Sequence, residues 1–436
     1  MKIQVPEKVN KIIETLLAHG HEAYAVGGCV RDSLLGREAD DWDITTSASP
    51  YEVKELFRRT IDTGIQHGTV TVMLDKDGFE VTTYRIDGEY EDGRHPKEVL
   101  FTKNLEEDLK RRDFTINAMA YNEQTGMVDI FGGVKDLEDK IIRCVGVAGD
   151  RFDEDALRIM RAFRFSAQLG FDIEENTRIA AAERAENLKK ISAERIRVEL
   201  TKLLLSGHTD RLLWMQQNGI TKVVLPEFDA MLDTVEEEQN QAYNVGEHTL
   251  RVVALVGEKV CTKKELQVLR YAALLHQVTG GALQAKEVMR RLKFDNETTE
   301  LVVRLVAAHR EYITFTNSHP ENLASVRHMM HRLGPDLMEL LFELQRADIL
   351  AETDALQKEN LYNLEKTERL YIEVTERNDC VSLKQLALNG KDLIALGAEP
   401  GKELGVLLEK LLYEVLEAPE NNTKEYLSRK VMQLLS

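Results

Sequence analysis

The periodicity of this chain changes once, and the change constrains the fold more than any single motif. Up to about residue 150, short segments read as strands: EAYAV at 22–26, DWDIT at 41–45, and TVTVML and FEVTTY at 69–74 and 79–84. In such segments alternate side chains share a face. Beyond that point the strand signal fades. DEDALRIMRAFRFSAQLG (153–170), SAERIRVELTKLLLSG (192–207) and HTDRLLWMQQNG (208–219) carry helical apolar spacing, and each stops at glycine. The expected architecture is an α+β head, with strands and helices mixed around one sheet, followed by an all-helical remainder. Polar joints fall near 233–244, 311–322 and 417–423. Residues 6–18 predict a first helix. SPYE at 49–52 predicts a capping box opening another that runs to about residue 58. A hairpin is expected to turn at Lys76-Asp77-Gly78, and RIDGEYEDGRHPKEVLF at 85–101 reads as a long charged loop.

Composition sets the outer limits. At 436 residues the chain has room for about three domains. With 43% hydrophobic and 30% charged residues it has the make-up of a soluble globular protein. No apolar run approaches the roughly 20 residues of a membrane helix. The N-terminus lacks the features of a secretory signal. Cys29, Cys144, Cys261 and Cys380 form no CxxC and no metal-ligand spacing, which reads as four reduced thiols in a cytoplasmic protein. A formal net charge of −18 weighs mildly against a nucleic-acid partner, but such binding needs only a local basic track. KRR at 110–112 and the arginines at 158, 161 and 164 offer one.

The most informative stretch is VGGCVRDSLLGREADDWDITT at 26–46. In a strand, Asp41 and Asp43 would point the same way and Trp42 into the core. Two adjacent carboxylates repel unless a cation sits between them. Mg²⁺ suits the pair, since it takes oxygen ligands and leaves positions for phosphate oxygens. Gly27 and Gly28 would let the backbone approach a polyphosphate, and Arg31 could pair with a phosphate through both arms of its guanidinium. The alternative reading is a polar strand end beside a tight turn. Glu80, on the polar face of the hairpin, is a candidate third carboxylate, or simply an exposed strand residue.

GGCVRD followed by DWDI resembles the nucleotidyltransferase signature. RRDFTINAMAY (111–121), DIFGGVKDLEDKIIRCVG (129–146), RFDEDALRIMRAFRFSAQLGF (151–171) and SAERIRVELTKLL (192–204) narrow the resemblance to class II tRNA nucleotidyltransferases and bacterial poly(A) polymerases. LNGKDLIALGAEPGKELGVLLEKLL, further on, is similar to bacterial CCA-adding enzymes. The resemblance implies a seahorse-like molecule with a head (1–147), neck (148–210), body (211–320) and tRNA-binding tail (321–436). It also implies attack of a tRNA 3′-hydroxyl on the α-phosphate of CTP or ATP, with loss of pyrophosphate. Asp41 and Asp43 match the metal-binding pair. Gly28, Arg31 and Arg112 match phosphate- and ribose-side contacts. Asp155, Arg158, Arg161 and Arg164 match the nucleotide-binding helix. An A-adding enzyme or a poly(A) polymerase shares nearly all these motifs. The loop at 85–101, with Arg94, His95 and Lys97 at its tip, is of the kind kept by relatives that add the terminal A.

If 151–171 is one helix, Asp155 and Arg158 are neighbours three residues apart. Cytosine and adenine share an exocyclic amino group beside an unprotonated ring nitrogen. A carboxylate can accept from the first, and a guanidinium can donate to the second. Uracil and guanine would set a carbonyl against the carboxylate. The competing reading is an ion pair on a solvated helix. Arg161 and Arg164 have no nearby acid on that helix, and phosphates would answer their charge. Lastly, His248 and His276 stand where some relatives carry an HD phosphohydrolase centre, but Gln277 replaces the bridging carboxylate. The segment therefore reads as a degenerate remnant, with His309 and Asp348 as surface or packing residues.

Overall fold

The computed structural model describes residues 2–88, 99–234, 244–257, 262–311, 323–352 and 354–435. They form two compact units, Met1–Pro226 and Glu227–Ser436. The loop tip carrying Arg94, His95 and Lys97, and also Cys261, lie outside the described residues.

The first unit is built on a seven-stranded mixed sheet. Its strands are β1 (Ala23–Val26), β2 (Ile44–Thr46), β3 (Thr60–Gly64), β4 (Thr69–Leu74) and β5 (Asp77–Thr83), then β8 (Met119–Asn122) and β9 (Gly126–Asp129). The order is β3-β4-β5-β2-β1-β8-β9. All neighbours are antiparallel except β2 and β5, which are parallel. The hairpin turns one residue earlier than expected, at Asp75 and Lys76, where Asp75 takes φ 58°. The stretch at 85–101 is less loop-like than expected, since β6 (Arg85–Asp87) and β7 (Val99–Phe101) pair as a separate ribbon.

Helices α1 (Glu7–Ala18), α2 (Gly28–Leu34), α3 (Pro50–Leu56), α4 (Leu105–Lys110) and α5 (Gly133–Glu138) accompany the sheet. The capping box of α3 forms as read, with Ser49 and Glu52 exchanging backbone hydrogen bonds. Tyr24, Val26, Tyr84, Leu109, Ala120 and Val145 cluster in the core. Gly133 is sterically required. A Cβ there would lie 2.3 Å from the Thr115 carbonyl oxygen, so this backbone packs directly on the RRDFTIN segment.

Short strands β10 (Ile141–Ile142) and β11 (Asp172–Ile173) pair in parallel. The rest of the unit is helical: α6 (Ala148–Glu154), α7 (Leu157–Leu169), α8 (Glu175–Glu183), α9 (Ala193–Leu204), α10 (Arg211–Gln217) and α11 (Thr221–Val224). Helix α12 (Pro226–Leu232) follows.

The described residues of the second unit are helical. Its elements are α13 (Val245–Leu255), α14 (Lys263–Leu275), α15 (Gly281–Arg291), α16 (Asn296–Ala308), α17 (Leu323–Leu333) and α18 (Pro335–Ala351). They continue as α19 (Asp354–Glu376), α20 (Gly390–Ala395), α21 (Lys402–Glu417) and α22 (Lys424–Leu435). Among the described residues no helix is long and apolar enough to cross a membrane.

Candidate active site

Ala25 of β1 stands opposite Ile44 of β2, and the Val26 N–H donates to the Asp43 carbonyl at 3.0 Å. This antiparallel pairing sets the glycine turn after β1 beside the carboxylates before β2. The strand itself begins only at Ile44. Asp41-Trp42-Asp43 lies just ahead of it, because Gly27, at φ 84°, turns β1 away and leaves no ladder to extend. Asp41 and Asp43 are both exposed. Trp42 is half-buried and lines a groove with Val5, Pro6, Ser33 and Arg37, not the core as expected.

In the parallel partner β5, Val81 pairs with Ile44. One step back along both strands, Glu80 comes abreast of Asp43. Val81 and Ile44 are buried, so Glu80 and Asp43 stand on the opposite, open face. Both carboxyls are shifted above their ordinary values. For Asp43 the cause is desolvation first, offset by Arg112 and reinforced by Asp41. For Glu80 it is desolvation, then the charges of Asp43 and Asp41. Mutually destabilised carboxylates fit a divalent cation, whose charge would remove the repulsion.

Arg112 faces this group from the other side. A Cβ on Gly27 would come within 3.0 Å of its Nη1, which explains the glycine. Arg112 Nη2 lies 3.7 Å from the buried Asp108, and its Nε is buried without a hydrogen-bond partner. Gly28 needs no special backbone and opens α2. Arg31, one turn on, grips the Asp32 carboxylate with Nε and Nη2 and donates from Nη1 to Asn117 Oδ1 at 2.7 Å.

From there a chain of bonds crosses into the helical part of the unit. The Asn117 amide donates to Asp113 Oδ1 at 3.1 Å, and Arg161 Nε donates to Asp113 Oδ2 at 2.7 Å. Burial would raise the Asp113 carboxyl, but Arg161, the Asn117 amide and Arg158 outweigh it and bring it down to about 2. The guanidinium groups of Arg31, Arg161 and Arg164 all stand against the ring of Phe165, at 5.0, 5.3 and 3.7 Å from its centroid.

The segment 151–171 is not one helix. Asp155 breaks it, with φ −140° and ψ 102°, and its Oδ1 accepts from the Leu157 N–H that opens α7. Asp155 Oδ2 accepts from Arg195 of α9 at 2.7 Å. Arg158 turns to Glu154 Oε2 at 2.7 Å and to the Arg111 carbonyl at 3.0 Å. Asp155 and Arg158 are therefore not a side-by-side pair on a helix face. The charges of Arg161 and Arg164 are also answered, by Asp113 and by Glu199 of α9, acids on other elements that helix spacing cannot reveal.

Family models match the chain in order: the Poly A polymerase head domain over 23–143, the RNA and SrmB- binding site of polymerase A over 170–232, and tRNA nucleotidyltransferase domain 2 over 263–431. The CCA-adding enzyme of Enterococcus faecalis is 35% identical over 420 residues, covering 95% of this chain and 93% of that one. The chain belongs to the CCA-adding enzyme family. The CCA-adding enzyme of Lactobacillus delbrueckii subsp. bulgaricus is 38% identical over 413 residues, covering 95% of this chain and 94% of its own. The crystal structure of the Bacillus stearothermophilus CCA-adding enzyme in complex with CTP superposes with a TM-score of 0.75 at 31% identity, over 99% of this chain and 98% of that one.

Within this family frame, sequence reading passed over Asp108, Asp113, Asn117, Glu154 and Arg195. Asp108 and Arg112 are four apart on one helical turn, and Asp113 and Asn117 are polar residues in an otherwise apolar run. Those two signals were legible. Glu154 and Arg195 become partners only through the break at Asp155.

Proposed function

We propose that this enzyme adds C, C and then A to the 3′ end of tRNA from CTP and ATP, without a template and with release of pyrophosphate. The observation that carries the reading is the β1/β2 pairing, which sets a glycine turn, two carboxylates and Arg31 together at one end of these two inner strands, with Arg112 against the turn. Asp41 and Asp43, with Glu80 as a third carboxylate, would hold the divalent metal, for which we propose Mg²⁺. When bound, such ions activate an attacking hydroxyl and neutralise the leaving phosphate. Gly28, Arg31 and Arg112 orient the triphosphate and ribose, and Arg31 and Arg112 supply fixed positive charge.

Asp155 and Arg158 read the amino group and ring nitrogen shared by cytosine and adenine. Their polar atoms now rest on Arg195 and Glu154, so a base must exchange partners with them. Residues 1–147, 148–210, 211–320 and 321–436 serve as head, neck, body and tRNA-binding tail. Arg161 and Arg164 hold the neck side of the nucleotide site together. The setting is the cytoplasm.

The test is primer extension with Mg²⁺, on one tRNA ending at the discriminator base and another ending in CC, with the four nucleotides offered singly and together. Growth by CCA that then stops supports the reading, and Asp41→Ala and Asp43→Ala should abolish it. A single A added only to the CC-ended tRNA would make this an A-adding enzyme. Unlimited A addition would make it a poly(A) polymerase.

A further inference from the structure

The face of the sheet that carries Glu80 continues beyond it as a floor of threonine hydroxyls. In β4, Val70 and Val72 are buried, and Val70 pairs with the buried Val81 of β5. Thr69 and Thr71 therefore stand on the open face, with Glu80 and Thr82. Thr71 is directly opposite Glu80, and Thr69 is opposite Thr82. β3 adds one more hydroxyl. Its register against β4 shifts between Ile61 and Gly64, and this bulge aims Thr63 at Thr71, with the two Oγ1 atoms 2.9 Å apart. The neighbouring Asp62 turns instead to Lys54 of α3, at 2.9 Å. Thr71 is half-buried and Thr63 is exposed. Gly78, the next open-face position on β5, carries no side chain; a Cβ there would crowd the Thr71 methyl at 3.0 Å.

Cross-strand threonine pairs are common in sheets and stabilise them modestly. Position sets this pair apart. Asp43 is abreast of Glu80, and Glu80 is opposite Thr71. One row thus crosses the strands from the glycine turn after β1, through Asp41 and Asp43 ahead of β2, to Glu80 on β5, Thr71 on β4 and Thr63 on β3. In-line displacement at phosphorus sets the attacking and leaving oxygens on opposite sides. With Gly28, Arg31 and Arg112 holding the triphosphate, pyrophosphate leaves towards β1, and the attacking 3′-oxygen comes from the side of β5. The ribose that carries this oxygen then lies over β4. Its 2′-hydroxyl is on the neighbouring carbon, and strands are about 4.8 Å apart, so a 3′-oxygen above Glu80 brings the 2′-hydroxyl within reach of Thr71. When two hydroxyls pair, one donates to the other. The pair keeps one free proton and spare lone pairs. That suits a 2′-hydroxyl, which both donates and accepts.

We infer that Thr71 and Thr63 form the subsite for the 3′-terminal ribose of the tRNA and read its 2′-hydroxyl. The inference rests on the nucleotidyl transfer proposed above. It makes the two threonines specificity-determining residues that favour a ribonucleotide end over a deoxyribonucleotide end. The bare backbone at Gly78 leaves room for the sugar.

The test uses the full-length enzyme, Mg²⁺, ATP and two tRNAs ending in CC. They differ only in the last sugar, ribose in one and 2′-deoxyribose in the other. The quantity read is kcat/KM for each tRNA in addition of A. The ribose end should be favoured about tenfold, as one hydrogen bond allows. Thr71→Val keeps the side-chain shape and should bring the ratio close to one, by slowing the ribose-ended tRNA alone and leaving KM for ATP unchanged. Thr71→Ser should restore the ratio. Thr69→Val breaks the other threonine pair on these strands, Thr69 with Thr82, whose Oγ1 atoms are 3.0 Å apart. It should lower the melting temperature as much as Thr71→Val does but leave the ratio intact, which separates substrate reading from sheet stability. If Thr71→Val does not fold, Thr63→Val carries the test and should at least halve the ratio. A wild-type ratio near one overturns the inference, and so does a ratio that survives both Thr71→Val and Thr63→Val. Failure of the wild-type enzyme to extend either tRNA is a different result: it removes the nucleotidyl-transfer reading, and the subsite with it.

Discussion

Asp113→Asn probes the link between the glycine turn and the helical part of the first unit. Asp113 is 8% exposed, and its carboxyl falls from 3.8 to about 2. At about 1.36 kcal/mol per pKa unit, the ionised form contributes roughly 2 kcal/mol. Asparagine can still bond the Phe114 N–H and the Asn117 side chain, so the loss is chiefly the charge opposite Arg161. The Arg161 side chain is 34% exposed and can partly rehydrate, which keeps the cost below that of a fully buried broken pair. We expect about 2 kcal/mol in urea denaturation at pH 7, or about 4–8 °C in Tm for a unit of this size. A double-mutant cycle with Arg161→Met should return about 1–2 kcal/mol of coupling. A depressed carboxyl stabilises the fold above its unfolded value, and that contribution is lost as pH falls from about 4 towards 2. The gap between wild type and variant should therefore narrow over that window. A cost below about 0.5 kcal/mol at pH 7, or a gap that does not narrow, would refute the reasoning.

Other outcomes can be checked directly. Asp43→Asn and Glu80→Gln should raise the denaturation midpoint measured without divalent ions, because each relieves desolvation and mutual repulsion, while nucleotide incorporation measured with Mg²⁺ collapses. The stabilisation should fade as pH is lowered and the native carboxyls protonate. Gly27→Ala, with φ 84° and a Cβ 3.0 Å from Arg112 Nη1, should cost about 1–2 kcal/mol and raise KM for both nucleotides in steady-state assays. Gly133→Ala sets a methyl 2.3 Å from the Thr115 carbonyl oxygen; a melting curve within about 1 °C of wild type would count against that packing. Filter binding to tRNA should weaken steeply between about 50 and 200 mM salt, and a flat response would rule out a phosphate-contact track.

The sequence disclosed what is local. The glycine turn, the capping box at Ser49 and the change to helix near residue 150 all depend on neighbours within a few positions, and all appear, whereas Asp41 and Asp43 sit ahead of β2 and not within a strand. Glu80 was readable as a polar strand residue, but its place abreast of Asp43 rests on the parallel register of β2 and β5. The misreadings have a common cause. Asp155 looked like part of a helix because local propensity favours one, whereas its side chain caps α7 and meets Arg195. Arg161 and Arg164 looked unpaired because Asp113 and Glu199 are remote in sequence. His309 and Asp348 read as surface or packing residues, and packing is the outcome: both are buried, which nothing local in the sequence decides.

The register of β1 also bears on how the chain comes off the ribosome. β2 follows β1 closely and can pair with it at once, but the other edge of β1 waits for Tyr121 and Ala120 of β8, far along the chain. Until then AYAV, buried at every position in the finished sheet, presents an unpaired and largely apolar edge. The head thus passes through a nascent stage in which its central strand is open to wrong partners. Slowed synthesis across residues 47–118 would lengthen that stage and lower soluble yield, with no effect on the stability of molecules that fold.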